Sequence, residues 1–252
     1  MSAIVVIPAR YDSTRFPGKP VVPLRGKPLI QHVYENATGS VLAGDVLVAT
    51  DSETIYETVF AFGGRAVMTS RDHASGTDRV AEVARSLDCD IIVNVQGDEP
   101  LIQPRMIDDV IALLSGGTVD IGTLAKRITD PAEVIDPNVV KVAFGEEGRA
   151  LYFSRAPIPY DRDAWKDLQQ SGLRGSLSMV FKHVGIYGYR RDVLLRLTGM
   201  KPTKLEQTEK LEQLRALEYG FTIKVRETSF ETFGVDTPQD MERVGKWLSL
   251  SS

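Results

Sequence analysis

The sequence carries a single cysteine, Cys89, in 252 residues. One thiol forms no internal disulfide, which excludes the stapled framework of a small secreted domain. Cys89 has no activating neighbour in sequence and is not read as a nucleophile. Histidine is nearly as scarce: His32, His73 and His183 stand far apart, without the spacing of a zinc site. The early apolar run AIVVIPA (3–9) meets Arg10 at once. It is too short to span a bilayer and lacks the charged-then-apolar layout of a signal peptide, so a cytoplasmic protein with no membrane partner is expected. Surplus positive charge is missing too. Thirty basic residues against 34 acidic ones leave a net charge of −4, which argues against nucleic acid or an anionic membrane surface as partner. The phosphate fingerprint G-x-x-x-x-G-K-[ST] is absent, and no G-x-G-x-x-G follows the first strand. No internal repeat, heptad run or linker breaks the chain.

What is present is ordinary for a folded protein. Hydrophobic residues make up 42% and charged residues 25%, which excludes wholesale disorder. Short β-rich runs alternate with amphipathic stretches. Ala3–Ala9, Asp45–Thr50 and Asp90–Gln96 read as buried strands, and Pro28–Asn36 has helical spacing. Ser52 is placed to cap the next helix, Gly63-Gly64 to end it, and Pro104 to open another. This rhythm predicts an α/β fold: a mainly parallel sheet with helices on both faces. Ligands then sit beyond the carboxyl ends of the strands, in loops starting near Arg10, Asp51 and Gly97. The second half predicts a hairpin around residues 145–148, a strand over His183–Arg190, one helix over Thr208–Tyr219, a strand over Thr222–Val225 and a last helix opened by Asp236-Thr237-Pro238. One domain over 1–252, with an inserted lobe over roughly 130–190, fits better than two.

The loop after the first strand places Arg10, Arg15 and Lys19 together, with Asp12 among them. Arginine forks and a compact ammonium suit a polyphosphate, and Gly18 permits close backbone approach. A solvated basic loop is the other reading. Asp98, after a strand and a glycine, can offer a hard oxygen to Mg²⁺ or cap a turn. Asp236 on its own reads as a helix cap. In His73–Arg79, Ser75 is a cap or a nucleotide contact, and Arg79 could hold a carboxylate by its fork. His183 and Tyr187, four apart on a strand, share a face. Glu209 and Glu212, three apart, share one side of the expected helix.

Taken together, the segments IPARYDSTRFPGKP (7–20), VATD (48–51), SGTDR (75–79), NVQGDEP (94–100), DPNVVK (136–141), LYFSRAPIP (151–159), HVGIYGYR (183–190), LEQLRALEYG (211–220) and GVDTPQD (234–240) closely resemble the 3-deoxy-manno-octulosonate (Kdo) cytidylyltransferases. The resemblance runs along essentially the whole chain. It implies a Rossmann-like nucleotidyltransferase fold with a smaller inserted dimerisation and sugar-binding lobe. It further implies a Mg²⁺-dependent homodimer that joins CTP to the acidic sugar Kdo, giving CMP-Kdo and pyrophosphate for lipopolysaccharide assembly. On that resemblance Arg10, Arg15 and Lys19 hold the triphosphate, with Lys19, Arg15 and Asp98 serving the reaction. Ala9, Arg10 and Ser75 lie at the cytidine pocket, and Asp98 and Asp236 bind the metal. Arg79, Gln96, His183, Tyr187, Glu209 and Glu212 face the sugar. Glu209 and Glu212 suit either the tail hydroxyls of Kdo or the amine of an 8-amino relative, and ordinary Kdo is expected. The segment 167–181 is the least family-like. A sialate-activating relative and a silent nucleotide-binding protein are the rivals.

Overall fold

The computed structural model describes residues 1–12, 16–162, 165, 177 and 179–250. Arg15 and most of the 167–181 segment lie outside the described residues. The strands are β1 (Ala3–Ala9), β2 (Pro23–Leu24), β3 (Lys27–Pro28), β4 (Asp45–Thr50), β5 (Ala66–Met68), β6 (Ile91–Asn94), β7 (Ile121–Arg127), β8 (Lys141–Phe144), β9 (Ala150–Ser154), β10 (Phe181–Arg190) and β11 (Ile223–Glu227). The helices are α1 (Leu29–Thr38), α2 (Glu53–Ala61), α3 (Gly76–Ser86), α4 (Pro104–Leu114), α5 (Pro131–Ile135), α6 (Arg191–Thr198), α7 (Lys204–Glu209), α8 (Gln213–Glu218) and α9 (Pro238–Leu250).

Seven strands lie in the order β11-β7-β10-β6-β1-β4-β5, and the β8–β9 hairpin joins the same sheet through β10. β1 pairs in parallel with both β4 and β6. Helices cover both of its faces, which is why its sequence is apolar without alternation. One face packs against α1, α2 and α4 through residues such as Ile30, Ile55 and Val110. The other packs against α3, α6 and α8 through Val80, Leu194 and Leu214. The expected α/β sheet is therefore present, with one qualification: β10 runs antiparallel between β6 and β7. It closes the 130–190 stretch, yet it lies inside the main sheet. Ile128, Val134, Trp165 and Val180 form a small core of their own beside it.

Local chemistry sets the boundaries. The Ser52 side chain caps α2 by accepting from the Ile55 N–H at 3.4 Å. Pro104 occupies the first turn of α4. β6 ends at Asn94 rather than Gln96, because the chain turns at Gly97 directly against β1. A Cβ on Gly97 would stand 2.8 Å from the Pro8 carbonyl oxygen, so only glycine permits this approach. The expected single helix over Thr208–Tyr219 is instead a corner. Lys210 takes a left-handed conformation (φ 55°), α7 stops at Glu209 and α8 begins at Gln213. The bend turns Leu211 into the core. Arg215 braces it by donating to both Glu206 oxygens, at 2.8 and 2.5 Å.

Candidate active site

Because β1 and β6 are parallel neighbours, their carboxyl ends open side by side. Beyond β1, the Gly18 N–H donates to the Tyr11 carbonyl at 2.9 Å. Gly18 has φ +69°, which sends Lys19 back toward the sheet. The Lys19 ammonium is almost buried. It lies 2.7 Å from Asp98 Oδ2 and 3.5 Å from Asp236 Oδ1, and it donates to the Val235 carbonyl. Asp98 arrives directly from the turn after β6. Asp236 arrives from the far side of the molecule, on a strap that leaves β11 and crosses the carboxyl edge. The strap is fastened where the Val235 N–H donates to the Asp98 carbonyl at 2.9 Å. At its end Asp240 accepts from the Asp236 and Thr237 N–H groups and starts α9. The spacing of 98 and 236 could not reveal this meeting, and the strap explains it.

Beside this cluster is a cavity of about 380 Å³, walled by Ala9, Arg10, Asp12, Lys19, Gly76, Gln96, Gly97, Asp98 and Asp236 among others. Arg10 crosses its edge and donates to the His73 carbonyl at 2.6 Å, tying the first loop to the turn before α3. A second cavity, about 620 Å³, lies along the carboxyl ends of β7 and β11 and shares Asp236 with the first. Lys126, Glu231, Lys182 and Glu133 line it, joined by ion pairs in that order.

The expected sugar-side residues are dispersed. Gln96 faces the first cavity and His183 the second. Tyr187 and Glu212 line a small enclosed pocket with Ser75. Arg79 is wholly buried. Its guanidinium donates to Asp51 Oδ2 at 2.5 Å and bonds the Thr69 hydroxyl, so it binds α3 to the ends of β4 and β5 and faces no open space. Ser75 forms a capping box with Asp78 at the start of α3. The corner at Lys210 separates Glu209 from Glu212. Glu209 accepts from the Ser154 hydroxyl (2.6 Å) and the Arg155 N–H (2.9 Å), while Glu212 accepts from the Thr77 hydroxyl (2.6 Å). The shared helix side expected for the two glutamates does not exist. Burial pushes the His183 imidazole down to about 3 and holds it neutral. Its Nε2 lies 2.9 Å from the Thr123 hydroxyl, and its ring packs on Phe153 and Tyr187. Arg15 lies outside the described residues.

Glu99 is the residue sequence reasoning overlooked. Burial, then the charges of Asp98 and Asp236, push its carboxyl up to about 8 against the opposing pull of Lys19. Its buried Oε2 has no hydrogen-bond partner. The only sequence signal was a second acid directly after Asp98. Among the described residues no three His, Cys, Asp or Glu side chains gather as a complete metal site. Two carboxylates converging beside a phosphate-sized cavity do fit Mg²⁺, which takes one or two carboxylates and completes its shell with phosphate oxygens and water. The two acids beside Glu99 add to the effect of burial in raising its carboxyl, which is consistent with the same fit.

The chain as a whole is similar to known proteins. A family model described as "Cytidylyltransferase" matches residues 4–227. A 3-deoxy-manno-octulosonate cytidylyltransferase of Geobacter metallireducens is 55% identical over 250 residues, covering 99% of this chain and 98% of that protein. The chain belongs to the 3-deoxy-manno-octulosonate cytidylyltransferase family. Another member, from Geotalea uraniireducens, is 56% identical over 245 residues, covering 97% of this chain and 98% of its own. The structure of a CMP:2-keto-3-deoxy-manno-octonic acid synthetase complexed with CTP superposes with a TM-score of 0.92 at 43% identity, covering both chains completely. The fold reaches further than the family: a 4-diphosphocytidyl-2C-methyl-D-erythritol synthase of Anaerococcus prevotii, 10% identical, has a TM-score of 0.65 over 98% of each chain.

Proposed function

We propose that this cytidylyltransferase activates the acidic sugar Kdo. The sugar's 2-hydroxyl attacks the α-phosphorus of CTP, CMP-Kdo forms and pyrophosphate leaves, supplying lipopolysaccharide assembly. The observation that carries the reading is the convergence of Lys19, Asp98 and Asp236 beside the cavity at the ends of β1 and β6. Transfer of this kind is accelerated mainly by positioning and by charge stabilisation, and these residues supply both. Lys19 and Arg10 offset charge on the phosphates, while the backbone at Ala9 and Gly97 forms the cavity floor against which the nucleotide is set. The start of α3 at Gly76 adds the partial positive charge of a helix N-terminus to the same wall. Asp98 and Asp236 would hold Mg²⁺, which supplies charge neutralisation at the phosphates and a lowered pKa for the attacking hydroxyl. His183, neutral and apolar-packed, contributes a shaped wall and one polar edge rather than a charge. Mg²⁺ dependence, a homodimeric assembly and a cytoplasmic location belong to the same reading. Among the described residues no helix is long and apolar enough to cross a membrane.

The test is pyrophosphate release with CTP and Mg²⁺, run in parallel with Kdo, 8-amino-Kdo, sialic acid and no sugar. Release with Kdo is expected. Release confined to sialic acid would overturn the sugar assignment, and preference for the 8-amino sugar would move it to that relative.

A further inference from the structure

The Lys19 ammonium sits in an unusual place for a phosphate ligand. A lysine has three N–H donors. Here they face three protein acceptors: Asp98 Oδ2 at 2.7 Å, the Val235 carbonyl, and Asp236 Oδ1 at 3.5 Å. The group is 8% exposed. The two carboxylates it touches are the pair assigned to the divalent cation, so the inference rests on that part of the proposed function. Mg²⁺ needs its oxygens at about 2.0–2.1 Å. An ammonium nitrogen 2.7 Å from one of those oxygens takes the space of a cation bridging that oxygen, and the two positive charges repel. Ammonium and divalent cation therefore compete for the pair.

We propose that Lys19 fills the cation seat between Asp98 and Asp236 in the nucleotide-free protein, and that the nucleotide's phosphates draw it out so that divalent cation and nucleotide enter together. The stem allows the exchange. Lys19 follows the left-handed Gly18, opens a short 3-10 turn, and borders the cavity of about 380 Å³ in which phosphates would offer its N–H groups new acceptors. Two species that each disfavour the same lysine position favour each other's binding, and the coupling is reciprocal. The device also has a use in the resting state. Without a cation in the seat, Asp98 and Asp236 would repel one another and the buried Glu99 carboxyl behind them.

The variants Lys19→Met and Lys19→Gln test this with Mn²⁺ as probe and no nucleotide present, reading free Mn²⁺ by electron paramagnetic resonance. Mn²⁺ is expected to bind the variants roughly tenfold more tightly than the wild type, within the usual range for coupling between sites. Turnover falls in the same variants, because the phosphates lose a positive partner. Loss of a nearby positive charge alone would also raise metal affinity, so displacement of the ammonium is the discriminating readout. A wild-type measurement accompanies the variants: acylation of Lys19, read by mass spectrometry, should speed up when saturating Mn²⁺ displaces the ammonium. Equal or weaker Mn²⁺ binding in both variants, or acylation indifferent to Mn²⁺, overturns the proposal. Adding Asp98→Asn to Lys19→Met separates the two levels. If tight Mn²⁺ binding survives that change, the seat itself is misplaced and the cation reading falls with the proposal.

Discussion

At the ends of β1 and β6 the Lys19 ammonium touches two carboxylates and a carbonyl, and a third carboxyl, Glu99, is left with an unpartnered oxygen. Around α3 and the α7–α8 corner each charged group has a partner of its own, although the buried Arg79 Nε is left without an acceptor. Arg79 has Asp51 and Thr69, Ser75 has Asp78, Glu209 has Ser154 and Arg155, and Glu212 has Thr77. Both regions are rich in charge, and both carry motifs by which the chain resembles its family. The difference is in the accounting of partners. A cluster of three neighbouring acids, one of them with a buried oxygen that has no partner, beside an open cavity is suited to receive a cationic ligand. A cluster whose charges are already paired is built first to hold the fold, and most of its groups can meet a ligand only by giving up a bond.

The largest expected effect tests the unbalanced side. Asp98→Asn removes one cation ligand and the charge opposite Lys19, while the turn through Gly97 keeps its geometry. Turnover at saturating CTP should fall by about 10⁴-fold, somewhat over 5 kcal/mol of barrier, with the thermal midpoint nearly unchanged. Near-normal turnover would erase the contrast. Arg79→Ala tests the balanced side. It leaves Asp51 without its buried cation, and breaking such a pair costs about 3–5 kcal/mol of stability. Urea unfolding should show that loss. The outcome that would sink the structural assignment is intact stability with a selectively raised KM for the sugar.

A smaller effect concerns His183, on the wall of the second cavity. Its folded-state pKa lies near 3 and its unfolded value near 6.5. Below pH 6.5 the unfolded chain gains a proton that the folded one refuses, so stability is lost as pH falls from about 6.5 toward 3. The slope from this group is at most about 1.4 kcal/mol per pH unit. His183→Gln should flatten the stability profile over that window, measured by denaturant midpoints at pH 7 and pH 5. An unaltered slope would mean that the cavity keeps the imidazole hydrated enough to protonate.

Much of the framework could be read from the chain because the signals were local. A continuous apolar run marked β1, Ser52 and Pro104 marked helix starts, and a lysine and an aspartate following buried strands marked the site. What escaped depended on distance in sequence. Asp236 reads as a cap until the strap from β11 is seen to fasten Val235 to Asp98. Arg79 reads as a free fork because its partner Asp51 stands 28 positions earlier. The Thr208–Tyr219 pattern reads as one helix because Leu211, Leu214 and Leu217 keep helical spacing, and nothing local announces that Lys210 adopts φ 55°. The pKa of Glu99 is set by enclosure and by two acids, one of them brought from position 236. Sequence patterns locate single residues. The balance of partners, which separates site from scaffold here, exists only after folding.

The smallest expected effect bears most directly on that separation, because Ser75 has a claim to both roles. The resemblance assigns it to the cytidine pocket, yet its hydroxyl accepts from the Asp78 N–H at 3.1 Å and lies 2.9 Å from Asp78 Oδ2. Removing an N-cap serine costs about 1 kcal/mol. Ser75→Ala should therefore lower stability by that amount. Asp78→Asn, which weakens the same box from the other side, should show a loss of similar size. If capping is the whole of its role, the KM for CTP stays level in both variants. If Ser75 also contacts the nucleotide, the hydroxyl must turn from Asp78 on binding. Ser75→Ala then raises the KM several-fold, while Asp78→Asn frees the hydroxyl and lowers it. Opposite shifts in the two variants would place Ser75 among the ligand-binding groups and move the line between the two regions to the first turn of α3.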